Sequence, residues 1–168
     1  MVHIILYHPE IPQNTGNILR TAMATNSFVH IIGPIPFDIS DKALQRAGMD
    51  YIKDAKYDYY DSYEAFLEKF GDKKIYYVTK YGTQVYSKVD FSDPSEDVYV
   101  MFGRESTGID KEILKEHIDF TLRIPMLSTA RSLNLSNSVS IVVYDILRQQ
   151  GFPNLATFDM IKKYKISW

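Results

Sequence analysis

Three stretches concentrate short polar side chains, glycine and arginine: EIPQNTGNILR (10–20), FGRESTGID (102–110) and IPMLSTARSLNLSNS (124–138). In the first, Ile18, Leu19, Ala22 and Met23 recur at helical spacing. Asn17, Arg20, Thr21 and Ala24 form the opposite stripe. Arg20 is therefore either a solvated cation on an exposed face or a fixed cation beside a ligand loop, able to hold phosphate or polarise a hydroxyl. In the second, Gly103 and Gly108 bracket Glu105. A glycine directly after a strand signals close backbone approach or positive φ. The alternative is a plain loop leading into a helix, with Asp110 as N-cap. The spacing suggests a phosphate loop, but Ile109 and Asp110 stand where that motif needs Lys and Ser/Thr. The third supplies Ser128, Thr129, Arg131, Ser132 and Asn134 ahead of an apolar segment. One serine or aspartate caps a helix, so this density exceeds what capping needs.

The elements that must position these loops alternate. HIILY (3–7), FVHIIG (28–33), KIYYVT (74–79), DVYVMFG (97–103) and FTLRIP (120–125) read as strands. Helices are expected from Asn14 or Thr15 as cap, over SDKALQRAG (40–48), over DSYEAFLEKFG (61–71), over KEILKEH (111–117) and from Ser136 to Gln150. This is an α/β pattern with a mainly parallel sheet and helices on both faces, in one domain over residues 1–168. The tail from Gly151 to Trp168 is the least readable segment. In an open parallel sheet, ligands bind beyond the carboxyl ends of the strands, where all three polar loops fall.

Composition bounds the chemistry. The chain has 168 residues, 45% of them hydrophobic, and a formal net charge of −2, against a strongly basic, non-specific nucleic-acid binder. It has no cysteine, which removes disulfides, thiolate metal sites and cysteine nucleophiles. His3, His8, His30 and His117 lack metal-ligand spacing and read as isolated surface or core histidines. The N-terminus reads as a first strand rather than a signal peptide, and no apolar run is long enough to span a bilayer. A cytoplasmic location is expected. No G-x-G-x-x-G follows a strand, so a dinucleotide oxidoreductase is disfavoured.

Taken in order, NTGNILR, FGRESTG and IPMLSTARSLNLSNSVSIVVY resemble the three signature motifs of the SPOUT superfamily of RNA methyltransferases. The opening LYHPEIPQNTGNILRTA and the segment GPIPFDISDKALQRAGMDY are similar to its small tRNA 2′-O-methyltransferase branch, which acts on the ribose of cytidine or uridine 34. The likeness runs from Val2 to Gly151. It implies a C-terminal deep trefoil knot, threaded by the last helix, where general topology rules alone would give an unknotted sheet. It further implies a homodimer with active sites near the subunit interface, an anticodon stem-loop substrate, and S-adenosylmethionine as methyl donor, leaving S-adenosylhomocysteine, with no metal.

Carried onto this sequence, the resemblance assigns cofactor binding to Val78, Thr79, Gly103, Glu105, Ile124, Met126, Ser132, Leu133 and Asn134. Arg20 falls to the target 2′-hydroxyl, and Asn14 supports that site. The segment LSTA (127–130) departs from the acidic or proline residue usual there. Because a sulfonium is already a good electrophile, the protein's work is alignment and removal of the hydroxyl proton. An ordinary arginine, with pKa above about 12, orients substrate and stabilises oxyanion charge rather than acting as base. Arg46, Arg131, Arg148 and the KKYK tail are candidate RNA phosphate contacts, each equally readable as solubilising charge. Two other functions compete: a 2′-O-methyltransferase for rRNA or another tRNA position, and a non-catalytic RNA- or nucleotide-binding module.

Overall fold

The computed structural model describes residues 1–39 and 54–158. Its centre is one seven-stranded sheet in which every neighbouring pair is parallel. The strands are β1 (Val2–Tyr7), β2 (Phe28–Ile32), β3 (Tyr57–Tyr60), β4 (Ile75–Val78), β5 (Gln84–Val85), β6 (Val98–Phe102) and β7 (Thr121–Arg123), in the order β3-β2-β1-β6-β4-β7-β5. The helices are α1 (Pro12–Thr25), α2 (Tyr63–Phe70), α3 (Lys111–Glu116) and α4 (Leu135–Gln149).

Strands β1, β2, β4 and β6 are nearly continuous apolar runs because both sheet faces are covered. Successive side chains point to opposite faces, and β1 divides accordingly. Ile4 and Leu6 pack with Ile18, Leu19 and Ala22 of α1 and Val139, Val142, Val143 and Ile146 of α4. Ile5 and Tyr7 pack with Phe66 of α2 and Leu114 of α3. The main sheet therefore has helices on both sides, as the alternation of patterns predicts.

Several local details differ from the sequence reading. Helix α1 starts at Pro12, with Ile11 at the N-cap and no side-chain cap bond, so Asn14 and Thr15 are buried within its first turns. Proline suits that first position because its missing N–H would be unpaired there. In α2 a side-chain cap is present: the Ser62 hydroxyl accepts from the Ala65 N–H. The short edge strands β3 and β5 carry no apolar run and were not anticipated; Asp58 interrupts the first, and the second is two residues long. The expected helix at SDKALQRAG (40–48) lies outside the described residues.

The histidines are not all isolated. His3 and His30 contact each other on the face covered by α2, His3 Nδ1 to His30 Nε2 at 2.9 Å, and the rings stack. His30 Nδ1 lies 3.0 Å from the Tyr60 hydroxyl, which donates to Asp58. Asp97 faces His3 Nε2 at 3.9 Å. Phe66, Phe70 and Tyr99 surround His30. The chain of bonds is self-consistent with both rings neutral: His3 Nδ1–H donates to His30 Nε2, and His30 Nδ1–H donates to the tyrosine oxygen.

Burial lowers the pKa of His30 to about 3, with His3 adding to the shift. Burial lowers His3 as well, opposed by Asp97. Above the ordinary histidine pKa both folded and unfolded states are neutral and the cluster's contribution is complete. As pH falls from about 6.5 toward 3 the unfolded chain takes up protons that the fold refuses, and stability is lost. Urea unfolding between pH 7 and pH 4 should therefore show stability falling with acid. His30→Gln should reduce that slope by up to about 1.4 kcal/mol per pH unit, the value for one proton. An unchanged slope would remove His30 from the titration.

Candidate active site

All seven strands run the same way, so their carboxyl ends open onto one edge of the sheet. The strand order reverses direction between β1 and β6, the arrangement that leaves a crevice for ligand. A cleft of about 390 Å³ lies there, within the usual size of small-molecule sites. It collects residues from the loops after β4, β6 and β7 and from the start of α1 and α4.

A single chain of hydrogen bonds joins the three polar loops. Asn134 Nδ2 donates to Asn14 Oδ1 at 3.0 Å, and Asn14 Nδ2 donates to Glu105 Oε1 at 2.8 Å. The Glu105 carboxylate also accepts the backbone N–H groups of Glu10 at 2.8 Å and Ile11 at 3.2 Å. Glu105 thus supplies from across the sheet the negative charge and acceptor that the α1 N-terminus lacks locally. Glu10 reciprocates: its carboxylate accepts from the backbone N–H and hydroxyl of Ser106, at 2.9 and 2.8 Å.

The FGRESTG loop is shaped by its glycines. A Cβ on Gly103 would lie 2.2 Å from the Gly108 carbonyl carbon, so the constraint there is close backbone approach. Gly108 is the residue with positive φ, +79°. Asp110 occupies the N-cap position of α3 but makes no cap bond with its side chain. It accepts instead from the Tyr7 hydroxyl at 2.5 Å and from Arg104 at 2.9 Å. Burial, reinforced by the Asp110 carboxylate, pushes the Tyr7 hydroxyl up to about 12. Tyr7 stays protonated and keeps donating, which locks β1 to the loop after β6.

Asn134 has two tasks. Its Oδ1 accepts from the backbone N–H groups of Ser136 and Asn137 and caps α4, while its Nδ2 reaches Asn14. The cap of α4 is therefore a residue that also faces the cleft; Ser136 is buried and donates its hydroxyl to Asn134.

The cleft brings together Asn14, Val78, Thr79, Gly103, Glu105, Ile124, Met126, Ser132, Leu133 and Asn134, with Arg131 also on its lining. It does not bring in Arg20, which is exposed on α1 and is not among the lining residues. Arg148 is exposed near the far end of α4 and pairs with Asp145 at 2.9 Å, roughly 20 Å along the helix from Asn134. Arg46 and the KKYK tail lie outside the described residues. Sequence reading missed Glu10, the Arg104–Asp110 pair, and Lys80 and Tyr81 on the cleft lining. Lys80 and Tyr81 directly follow β4, so the strand-end rule pointed at them; Glu10 carried no signal, because its partner Ser106 is remote in sequence. Among the described residues no group of three metal-ligating side chains occurs, and no helix is long and apolar enough to cross a membrane.

Removing the central carboxylate should loosen the three loops together. Glu105→Ala is expected to cost about 1.5–3 kcal/mol in chemical denaturation, the range for hydrogen bonds to a charged group. The Asn14→Ala change should cost less, and the double variant less than the sum, because the residues share a bond. Strict additivity would show that the network is not coupled.

Residues 1–144 match the SpoU rRNA Methylase family. The tRNA (cytidine(34)-2′-O)-methyltransferase of Escherichia coli strain K12 is 42% identical over 95% of this chain and 100% of its own length. A solved structure described as giving structural insights into the 2-OH methylation of C/U34 on tRNA is 38% identical, with TM-score 0.79, covering 90% of this chain and 91% of its own. The SpoU methyltransferase AviRb of Streptomyces viridochromogenes, in complex with the cofactor AdoMet, shares the fold at 21% identity and TM-score 0.71, over 88% of this chain and 57% of its own. The chain, whose strand-end loops meet in one cleft of the family's parallel fold, belongs to the SpoU methylase family of RNA methyltransferases.

Proposed function

We propose that this chain transfers a methyl group from S-adenosylmethionine to the ribose 2′-hydroxyl of the wobble nucleotide, cytidine or uridine 34, in tRNA, in the cytoplasm. The observation that carries the reading is the convergence of all nine cofactor candidates on one cleft, with Asn14 and Glu105 bonded at its edge. The near-complete overlap with a wobble-position enzyme selects tRNA over rRNA as substrate.

The residues present fit the donor. Val78, Phe102, Ile124 and Leu133 give an apolar wall for a purine, and the strand-end backbone beside them offers N–H and C=O groups for its polar edges. When bound, S-adenosylmethionine supplies a methyl group on a sulfonium, electrophilic enough that neither metal nor covalent enzyme intermediate is required. Glu105 and Asn134 hold the walls of the cleft in register, and Asn14 ties the start of α1 to both. Holding the nucleophile in line is the larger part of the catalytic task, worth about 7–11 kcal/mol in favourable cases.

Arg20 is assigned to the target hydroxyl, where its guanidinium orients the ribose and stabilises developing oxyanion charge. That role asks for a homodimer, because Arg20 is not on the cleft lining of a single chain. An exposed apolar stripe supports association: Ile141 and Tyr144 on α4 are 37% and 47% exposed, and α1 packs alongside that helix. The C-terminal trefoil knot, with α4 threaded, belongs to the same reading. Arg131, on the cleft, is the RNA phosphate contact best placed for it, with Arg148, away from the cleft lining, and Arg46 as further candidates.

Incubating the protein with unmodified tRNA and labelled cofactor, then mapping the label by mass spectrometry, should place it on the ribose of nucleotide 34. Label on a base or on another ribose would overturn the substrate assignment. Arg20→Ala should lower turnover at least about 100-fold, as loss of an oxyanion donor does, while calorimetry shows cofactor affinity nearly intact. Near-normal turnover would remove Arg20 from the reaction.

A further inference from the structure

The Lys80–Tyr81 corner of the cleft is absorbed by neither the cofactor set nor the proposed catalytic residues. Most of the tyrosines that follow strand positions are core: Tyr76, Tyr77 and Tyr99 are buried. Tyr81 lies on the cleft lining yet is 56% exposed, and Lys80 beside it is exposed as well. The Lys80 ammonium sits 5.1 Å from the centroid of the Tyr81 ring. An aromatic face and a cation are thus presented together at the mouth of the cleft.

The loop that carries them is tightly fastened. Thr79 N–H donates to the Leu122 carbonyl at 2.9 Å, and Gly82 N–H donates to the Thr79 carbonyl at 3.2 Å. Tyr81 N–H donates to the Thr79 hydroxyl at 3.3 Å, and Thr83 N–H to the Thr121 hydroxyl at 3.1 Å. The Arg123 guanidinium donates to the Lys80 carbonyl. Gly82 lies so close to β7 that a Cβ would sit 2.3 Å from the Leu122 carbonyl carbon. Exposure of the Tyr81 ring is therefore set by a rigid backbone, which reduces the ordering cost of anything that stacks on it.

We propose that Tyr81, flanked by Lys80, is a stacking platform for a nucleobase of the substrate RNA. The inference deepens the RNA-methylation reading and rests on it for the identity of the RNA. Nucleobases stack on tyrosine irrespective of sequence, and an adjacent cation meets the phosphate backbone. Two nucleobases could reach this ring: the adenine of the cofactor and a base of the RNA. The RNA base is favoured because the apolar wall of Val78, Phe102, Ile124 and Leu133 already suits the adenine, while Tyr81 and Lys80 face outward with cationic charge suited to a polyanion.

The test uses an anticodon stem-loop carrying 2-aminopurine next to the target nucleotide, with the full-length protein. Wild type should alter the 2-aminopurine fluorescence on binding, and Tyr81→Ala should abolish the change. In methylation assays Tyr81→Ala should raise KM for the stem-loop by about 5- to 150-fold, the span of base–aromatic stacking, while S-adenosylmethionine affinity and thermal midpoint hold. Tyr81→Phe should recover most of the loss, because the ring is kept. Lys80→Ala should weaken RNA binding and flatten its salt dependence. If Tyr81→Ala weakens cofactor binding instead, the ring belongs to the adenine site and the proposal is wrong. If RNA binding, fluorescence and KM are all unmoved, it is equally wrong. Absence of methylation at nucleotide 34 by wild type would defeat the substrate reading alone, since the fluorescence arm needs no turnover.

Discussion

The site depends on one carboxylate. Glu105 follows β6, yet its bonds go to the start of α1, to Asn14 and, through Asn14, to Asn134 at the start of α4. These are segments far apart in sequence whose relative placement decides whether a cleft exists. An anion accepting several N–H groups at a helix N-terminus is among the stronger interactions available at a protein's surface layer, because backbone donors and helix dipole act together. The reciprocal bonds from Ser106 to Glu10 fix the same joint from the other side. Without this clamp the loops would still emerge from the same edge of the sheet, but the starts of α1 and α4 would lose their shared tie to the loop after β6.

The parallel sheet makes the clamp possible. Strands β1, β6, β4 and β7 are neighbours, so the loops that follow them are neighbours too. Chemistry that needs alignment more than reactive side chains suits such a frame: rigid strand ends set the positions and short polar groups finish them. Tight glycines serve the same end. Gly103 lets the loop after β6 double back against Gly108 and Ile109, and Gly82 lets the loop after β4 lie on β7. Away from the cleft, the His3–His30–Tyr60 chain links β1, β2 and β3 through buried polar groups whose bonds are all made with both rings neutral.

Much of this was readable from the sequence where the signal is local. The apolar runs of β1, β2, β4 and β6 and the periodic stripes of α1, α2 and α4 follow from burial on one face or two. The polar density before α4 falls on the cleft lining, together with the residues that the family likeness singles out as candidates. Edge strands β3 and β5 escaped because they are short and lack an apolar run. The α1 cap escaped because its acceptor is Glu105, 94 positions from Ile11, and no local pattern encodes it. The pairing of His3 with His30 escaped for the same reason: spacing along the chain does not reveal that β1 and β2 are adjacent.

What the sequence determined by itself is the set of elements and the chemical character of their ends, since helix and strand periodicity, glycine placement and polar composition act over a few residues. What only the tertiary structure decided is which ends meet. Asn134 was legible as a polar residue near a helix start; that one amide caps α4 with its oxygen and holds Asn14 with its nitrogen is a fact of three dimensions. Tyr81 was one tyrosine among thirteen until the fold buried others and left this ring at the cleft. Burial and long-range hydrogen bonds are properties of the packed chain, and they assign different roles to identical residues.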